Sequence, residues 1–234
     1  MKQTLQLLLS LTLMAAISPA ETLQSIEFYI YSQTELDQIA FRNWQIKPNT
    51  GNGHSFLVPV KNHYLCITGP YVSQVPRELC FFETASGEKI ASLRVNEDWQ
   101  STVLIFLDNH NYGKQSDALR YNIVPCSFNP QNQIAGQLTL LNLSGFPLIA
   151  KVNNQILDLK PNSERSCRPE SQVRLQIALA GPRKQWIVGW KKSFFLAQHS
   201  AQALIIFPPS LSGSSQLDIR RIQLQASMPT KAIQ

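Results

Sequence analysis

Residues 147–159, PLIAKVNNQILDL, decide the fold. Two short runs of strand-forming residues, Ile149-Ala150-Lys151-Val152 and Gln155-Ile156-Leu157, are separated by Asn153-Asn154 alone. Asparagine tolerates the positive φ that a two-residue hairpin turn requires, so the segment reads as strand, tight turn, strand. The same period-two alternation of apolar residues recurs in short runs along most of the chain, whereas the i, i+3, i+4 stripes of amphipathic helices are scarce. The chain is expected to be all-β.

Working outward from that hairpin, the following set of strands runs through Gly136 to Leu143, Pro147 to Val152, Gln155 to Leu159, Gln172 to Leu179, Trp186 to Lys192, Ala203 to Phe207 and Gln216 to Gln225. The preceding set runs through Ser25 to Ser32, His54 to Val60, Tyr64 to Thr68, Glu78 to Thr84, Lys89 to Val95, Thr102 to Leu107 and Leu119 to Pro125. Turn chemistry punctuates both sets at Ser86-Gly87, Asp108 to Gly113, Pro161-Asn162-Ser163, Gly181-Pro182 and Pro208 to Ser215. Thr34 to Phe41 is the best helical candidate, with Thr34 as cap and Leu36, Ile39 and Ala40 facing inward.

The polar, proline-containing stretch Asn129 to Gln133 separates the two sets. The sequence therefore predicts two tandem immunoglobulin-like β-sandwich domains, residues 21–128 and 134–234, joined by a linker at 129–133, with one larger β-sandwich as the alternative. The core would be drawn from Phe28, Ile30, Leu104, Phe106, Leu138, Leu140, Val173, Leu175, Trp186 and Trp190. An internal echo at an offset of about a hundred residues aligns Leu104-Ile105 with Leu204-Ile205, Gly113 with Gly213 and Arg120 with Arg220.

At the N-terminus, Lys2 precedes an apolar stretch from Leu5 to Ile17 broken only by Gln6, Ser10 and Thr12, and Ser18-Pro19-Ala20 offers small residues for cleavage. Residues 1–20 read as a secretory signal peptide cut between Ala20 and Glu21. The apolar part falls short of the roughly 20 residues of a membrane span, and no lipobox cysteine follows. The expected product is exported to the periplasm or cell surface, with no transmembrane segment after cleavage.

Hydrophobic residues make up 44% of the chain, too many for a disordered protein. The net charge of +6, one of which leaves with Lys2, is spread over short basic pairs such as Arg183-Lys184, Lys191-Lys192 and Arg220-Arg221. None is the long basic run or helix that tracks phosphates, so no nucleic-acid partner is expected. The charge is compatible with acidic polysaccharide or lipid headgroups.

Cys66, Cys80, Cys126 and Cys167 form an even set in an exported chain, which predicts disulfides. Three connectivities are open, and the one that keeps each bridge local pairs Cys66 with Cys80 and Cys126 with Cys167. None of the spacings matches a paired Cys-x-x-Cys motif, so no metal and no cofactor are expected. His54, His63, His110 and His199 stand apart from one another and read as surface or turn residues. Asp108-Asn109-His110-Asn111 gathers polar groups but lacks the continuation of an EF-hand and reads as a hairpin loop. Ser144 lacks a nucleophile-elbow context, and Asn142-Leu143-Ser144, formally a glycosylation sequon, reads as a turn. Glu97-Asp98 would point to opposite faces of a strand, and Glu83 and Glu88 flank a turn, so neither makes the facing carboxylate pair of a glycosidase. No catalytic residues are assigned.

The candidate ligand-binding stretch is Arg183 to Lys192, RKQWIVGWKK. On a regular strand Trp186, Val188 and Trp190 share one face. Two indoles on that face either form a platform for a sugar ring or peptide, with Lys191 and Lys192 reading an anionic partner, or belong to the sandwich core, which is the first reading. Phe194-Phe195 then completes the core or leaves one aromatic exposed.

From Pro125 through GQLTLLNLSGFPLIAKVNNQILDLKPNSERS to WIVGWKKSFFL, ALIIFPP and LDIRRIQL, the second half resembles small exported β-sandwich proteins of uncharacterised bacterial families. That resemblance is one of fold and implies no site residues. The functional expectation is an exported non-catalytic binding or structural protein of the bacterial cell envelope that recognises a protein partner. The alternative is a carbohydrate-binding module or an accessory to polysaccharide processing.

Overall fold

In the computed structural model the chain is all-β. The structure describes residues 24–227 except 33, 35, 37, 47–52, 61–66, 76, 97–98, 100, 110–112, 116, 132, 182–184, 210, 212 and 225. The leader expected at 1–20 lies outside the described residues. The first set of strands comprises β1 (Gln24–Ser32), β2 (Ile39–Ile46), β3 (Gly53–Pro59), β4 (Thr68–Val75), β5 (Glu78–Glu83), β6 (Lys89–Arg94), β7 (Ser101–Asp108) and β8 (Tyr121–Cys126). After the short β9 (Gln133–Ile134) come β10 (Leu138–Asn142), β11 (Leu148–Val152), β12 (Gln155–Leu159), β13 (Ser163–Cys167) and β14 (Gln172–Ala180). The chain continues through β15 (Trp186–Phe195), β16 (Ala201–Phe207), β17 (Asp218–Leu224) and β18 (Ala226–Ser227), the last pairing in parallel with β9.

Both halves have the same topology. The first pairs a sheet of order β4-β1-β7-β8 with one of order β3-β2-β5-β6, and the second pairs β13-β10-β16-β17 with β12-β11-β14-β15. In each half the first strand runs parallel to the seventh, β1 with β7 and β10 with β16. The echo between the halves falls on equivalent places: Leu104 and Leu204 sit in β7 and β16, paired with Ile30 and Leu140 respectively. Gly113 and Gly213 follow in the next loop, with φ of 76° and 80°, a left-handed conformation that glycine adopts without strain.

The central parallel pairs explain the least alternating stretches of the sequence. A strand buried on both faces reads as a continuous apolar run, as in Phe28-Tyr29-Ile30-Tyr31, Val103-Leu104-Ile105-Phe106 and Ala203-Leu204-Ile205-Ile206-Phe207, all buried. Alternate residues of these runs enter different cores. Phe28, Ile30, Leu104 and Phe106 pack with Phe41, Leu79 and Phe81 inside the first sandwich. There Phe81 meets Phe106 edge to face with ring centroids 4.9 Å apart. Leu138, Leu140, Leu204 and Ile206 pack with Ala150, Val173, Leu175 and Ile177 inside the second. The intervening residues, among them Tyr29, Tyr31, Val103 and Ile105 from the first half and Leu141, Ala203, Ile205 and Phe207 from the second, form a third buried cluster. The two sandwiches thus pack through their central sheets into four layers. Between the two sets of strands Gln133 is buried, and its side-chain amide donates to the Asn129 carbonyl at 2.7 Å.

Two expectations need correction. Thr34 to Phe41 forms no helix: Gln38 takes a φ of 54° and β2 begins at Ile39, because Ile39 and Phe41 reach the first core with strand periodicity. The expected local disulfides are not present among the described residues. Cys80, Cys126 and Cys167 are free thiols, with Cys126 in the central core and Cys167 in that of the second sandwich. Cys66 lies outside the described residues. The expected strand Tyr64 to Thr68 also lies outside them except at its end, where β4 begins. No helix among the described residues is long and apolar enough to cross a membrane.

Candidate functional site

The Asn153-Asn154 turn also borders a groove on the outer face of its sheet. Asn153 takes a φ of 52°, its side-chain oxygen accepts from the Arg174 amide at 2.7 Å, and its side-chain nitrogen donates to the Gln172 carbonyl. The β11–β12 hairpin is thereby tied to β14. Along β14, Val173, Leu175 and Ile177 are buried, so Arg174 and Gln176 point to the outer face of the sheet. Directly paired residues of neighbouring antiparallel strands share a face. Lys151 pairs with Gln176, which pairs with Lys191, so the two lysines flank Gln176 on that outer face. With strands about 4.8 Å apart, their Cα atoms are separated by about 10 Å, and Arg174 lies about 7 Å along the central strand.

These residues line a groove of about 450 Å³ together with Asn154, Gln172, Lys192 and Ser193. Glu170 is its one carboxylate among the described residues. Among the described residues the ion pairs are Arg120 with Glu83 and Arg220 with Asp218, so none of Lys151, Arg174 and Lys191, the cations on this face, is neutralised by a paired carboxylate. Positive charge concentrated in a concave surface draws anions.

The sequence candidates divide on a bulge. The pairing of β14 with β15 runs Ala180–Trp186, Leu179–Ile187 and Ala178–Val188, then shifts so that Ile177 meets Trp190. Gly189 is the extra residue. A bulge places two residues opposite one and reverses the alternation beyond it, so Trp186 and Trp190 face opposite ways instead of sharing a face as expected. Trp186 stays on the outer face and is 48% exposed, beside the exposed Val188. Trp190 turns inward and packs against the second core. The core expectation therefore fails for Trp186 and holds in part for Trp190. Gly189 is required here, since a Cβ would collide with the Ser215 carbonyl and the Leu179 side chain. Lys191 and Lys192 both border the groove, but only Lys191 is on its face, since Lys192 pairs with the inward-facing Leu175, and of the two phenylalanines Phe194 packs inward while Phe195 is exposed.

Sequence reasoning missed Lys151 and Arg174. Each was visible as the outward alternate of its strand, but their juxtaposition with Lys191 depends on which strands pair.

The remaining candidates occupy structural positions. Asn142 is wholly buried and its side-chain nitrogen lies within 3.1 Å of the carbonyls of Phe146, Leu159 and Lys160. Ser144 donates to the Asn142 side-chain oxygen at 2.7 Å, so the sequon-like stretch is a buried turn. Ser86 donates to Glu83, which also pairs with Arg120. His199 is exposed, and the side chains of His54, His63 and His110 lie outside the described residues, as do Glu97 and Asp98. Among the described residues no three His, Cys, Asp or Glu side chains gather to hold an ion. Burial and the nearby Glu78 carboxylate push the Cys80 thiol up to about 11. Burial raises Cys126, with Glu164 adding to it, and burial raises Cys167.

The geometry suits recognition of anions by clustered cations surrounded by amide and hydroxyl groups. No protein-family model matches the chain, and no curated protein matches it.

Proposed function

We propose that this is an exported, non-catalytic binding protein of the bacterial cell envelope that takes an anionic ligand on the outer face of the β12-β11-β14-β15 sheet. The observation that carries the reading is the cluster of Lys151, Arg174 and Lys191 on one groove that has a single carboxylate among the described residues. Export is supported by the leader pattern of residues 1–20. The groove offers charge, amides and a hydroxyl without a pair of facing carboxylates, which suits holding a ligand better than general acid and base work.

The face is also arranged unlike a protein docking surface. Such interfaces have an apolar, aromatic centre depleted in charge and a polar rim. Here the cations occupy the middle, and the exposed apolar residues Ile156, Trp186, Val188 and Phe195 lie around them. A ligand that remains partly hydrated fits this arrangement better than a folded partner.

The test is retention of polyanions on immobilised mature protein, using polygalacturonate, poly-L-glutamate and phosphatidylglycerol vesicles. At least one is retained at low salt and released at high salt, as screening requires, and retention is lost in the Lys151→Glu/Lys191→Glu variant. Retention of none, or equal retention by the variant, refutes the proposal.

A further inference from the structure

We infer, resting on the anion-binding reading above, that the ligand of this face is a carboxylated polysaccharide bound as a chain of several sugar rings. Three features of the same face lead there. Its cations are interleaved with neutral hydrogen-bonding groups: Asn154, Gln172, Gln176 and Ser193 line the groove, and none of their side chains has a partner among the described residues. Amides and hydroxyls that both donate and accept match sugar hydroxyls, whereas an ionised phosphate group, which only accepts, leaves their acceptor oxygens unmet. Trp186 supplies the second feature. Its indole is half exposed on the outward side of β15, and a flat aromatic surface stacks on the apolar C–H face of a pyranose ring while its N–H stays wet. The third is distance. Trp186 pairs with Ala180, and Lys191 pairs with Gln176, so the indole and the cation row are separated by four residues of β14, about 14 Å along the strand. One sugar ring cannot touch both, and a chain can.

An acidic peptide is disfavoured by the position of the groove. Extended peptides dock by adding backbone hydrogen bonds to a sheet edge, and this groove lies across β11, β14 and β15, on the face of the sheet.

Isothermal titration of the mature chain with polygalacturonate, monomeric galacturonate, neutral dextran, poly-L-glutamate and phosphatidylglycerol vesicles tests this. Polygalacturonate is expected to bind while the monomer and dextran do not. Trp186→Ala weakens binding about tenfold, the scale of one aromatic contact, and Lys191→Glu abolishes it. Both substitutions fall on exposed side chains, and an unchanged thermal melt verifies that each variant is folded. Equal or tighter binding of polyglutamate or vesicles, equal binding of the monomer, or an unaltered affinity in Trp186→Ala overturns the polysaccharide assignment and leaves anion binding intact. Failure of all three polyanions to bind removes the anion-binding function itself.

Discussion

Replacing Ile205 with alanine tests whether the two sandwiches are one packed body. Ile205 and Ile206 are neighbours on β16 with no exposed surface, and they enter different cores: Ile205 the cluster between the sandwiches, Ile206 that of the second sandwich. If the halves were beads on a string, Ile205 would face water and its truncation would cost almost nothing. In the four-layer packing it belongs to a buried cluster drawn from both halves. Ile→Ala removes three carbons, about 2.4 kcal/mol of transfer free energy at ~0.8 kcal/mol each. The cavity left behind raises the expected loss to about 2.5–4 kcal/mol, equal within error to that of Ile206→Ala. For a chain of this size that corresponds to a fall in Tm of about 5–15 °C. Urea unfolding of wild type and both variants, followed by fluorescence and circular dichroism, reads the difference directly. A loss below about 0.5 kcal/mol for Ile205→Ala, the level of an ordinary surface change, beside a full loss for Ile206→Ala would refute the packing of the central sheets.

Three other consequences can be measured alongside. Asn142→Ala strips the hydrogen bonds that its wholly buried side chain gives to the Phe146 and Leu159 carbonyls and is expected to cost about 2–4 kcal/mol in the same urea experiment, whereas an exposed Asn154→Ala change should be silent. Gly189→Ala forces a Cβ into the Ser215 carbonyl and Leu179. It should destabilise by at least about 1 kcal/mol, the low end for overpacking, and raise hydrogen exchange in residues 211–217. Cys80, held at about 11 mainly by burial and then by Glu78, is protonated in the fold when an unfolded thiol has begun to ionise. Its contribution to stability is thus complete below pH about 9 and is lost as pH rises toward 11. Mass spectrometry after brief iodoacetamide treatment at pH 8 should find Cys80 modified slowly and the more deeply buried Cys126 not at all, while unfolded chain labels at both.

How much of this was legible in the sequence follows from which interactions are local. The Asn153-Asn154 hairpin was legible because both its turn chemistry and its strands lie within a dozen residues. The alternation of β14 marked Val173 and Leu175 as core because period two is a local property. The continuous runs at Phe28 to Tyr31 and Ala203 to Phe207 marked strands without revealing that their second faces meet across the molecule, since a run buried on both faces does not say what buries it. Phe41 was assigned to a helix because a short apolar segment with a threonine ahead of it satisfies either period. β13, with the sequence Ser163-Glu164-Arg165-Ser166-Cys167, was missed because an edge strand can be almost wholly polar. The face of Trp186 was misjudged because a single bulged glycine inverts the alternation, and the reason for that glycine, the Ser215 carbonyl, is remote in sequence. The groove itself joins Lys151, Arg174 and Lys191 through strand pairing alone, which no composition records.

The claim on which the account turns is that Trp186 lies in the binding face and Trp190 does not. The direct measurement is the tryptophan emission of mature protein during titration with polygalacturonate, compared with Trp186→Phe and Trp190→Phe. The account predicts that the component lost in Trp186→Phe is red-shifted in the free protein and moves to the blue as ligand covers the indole, and that Trp190→Phe keeps this response. A blue-shifted Trp186 in the free protein, or saturable binding that leaves its emission unchanged, would contradict it.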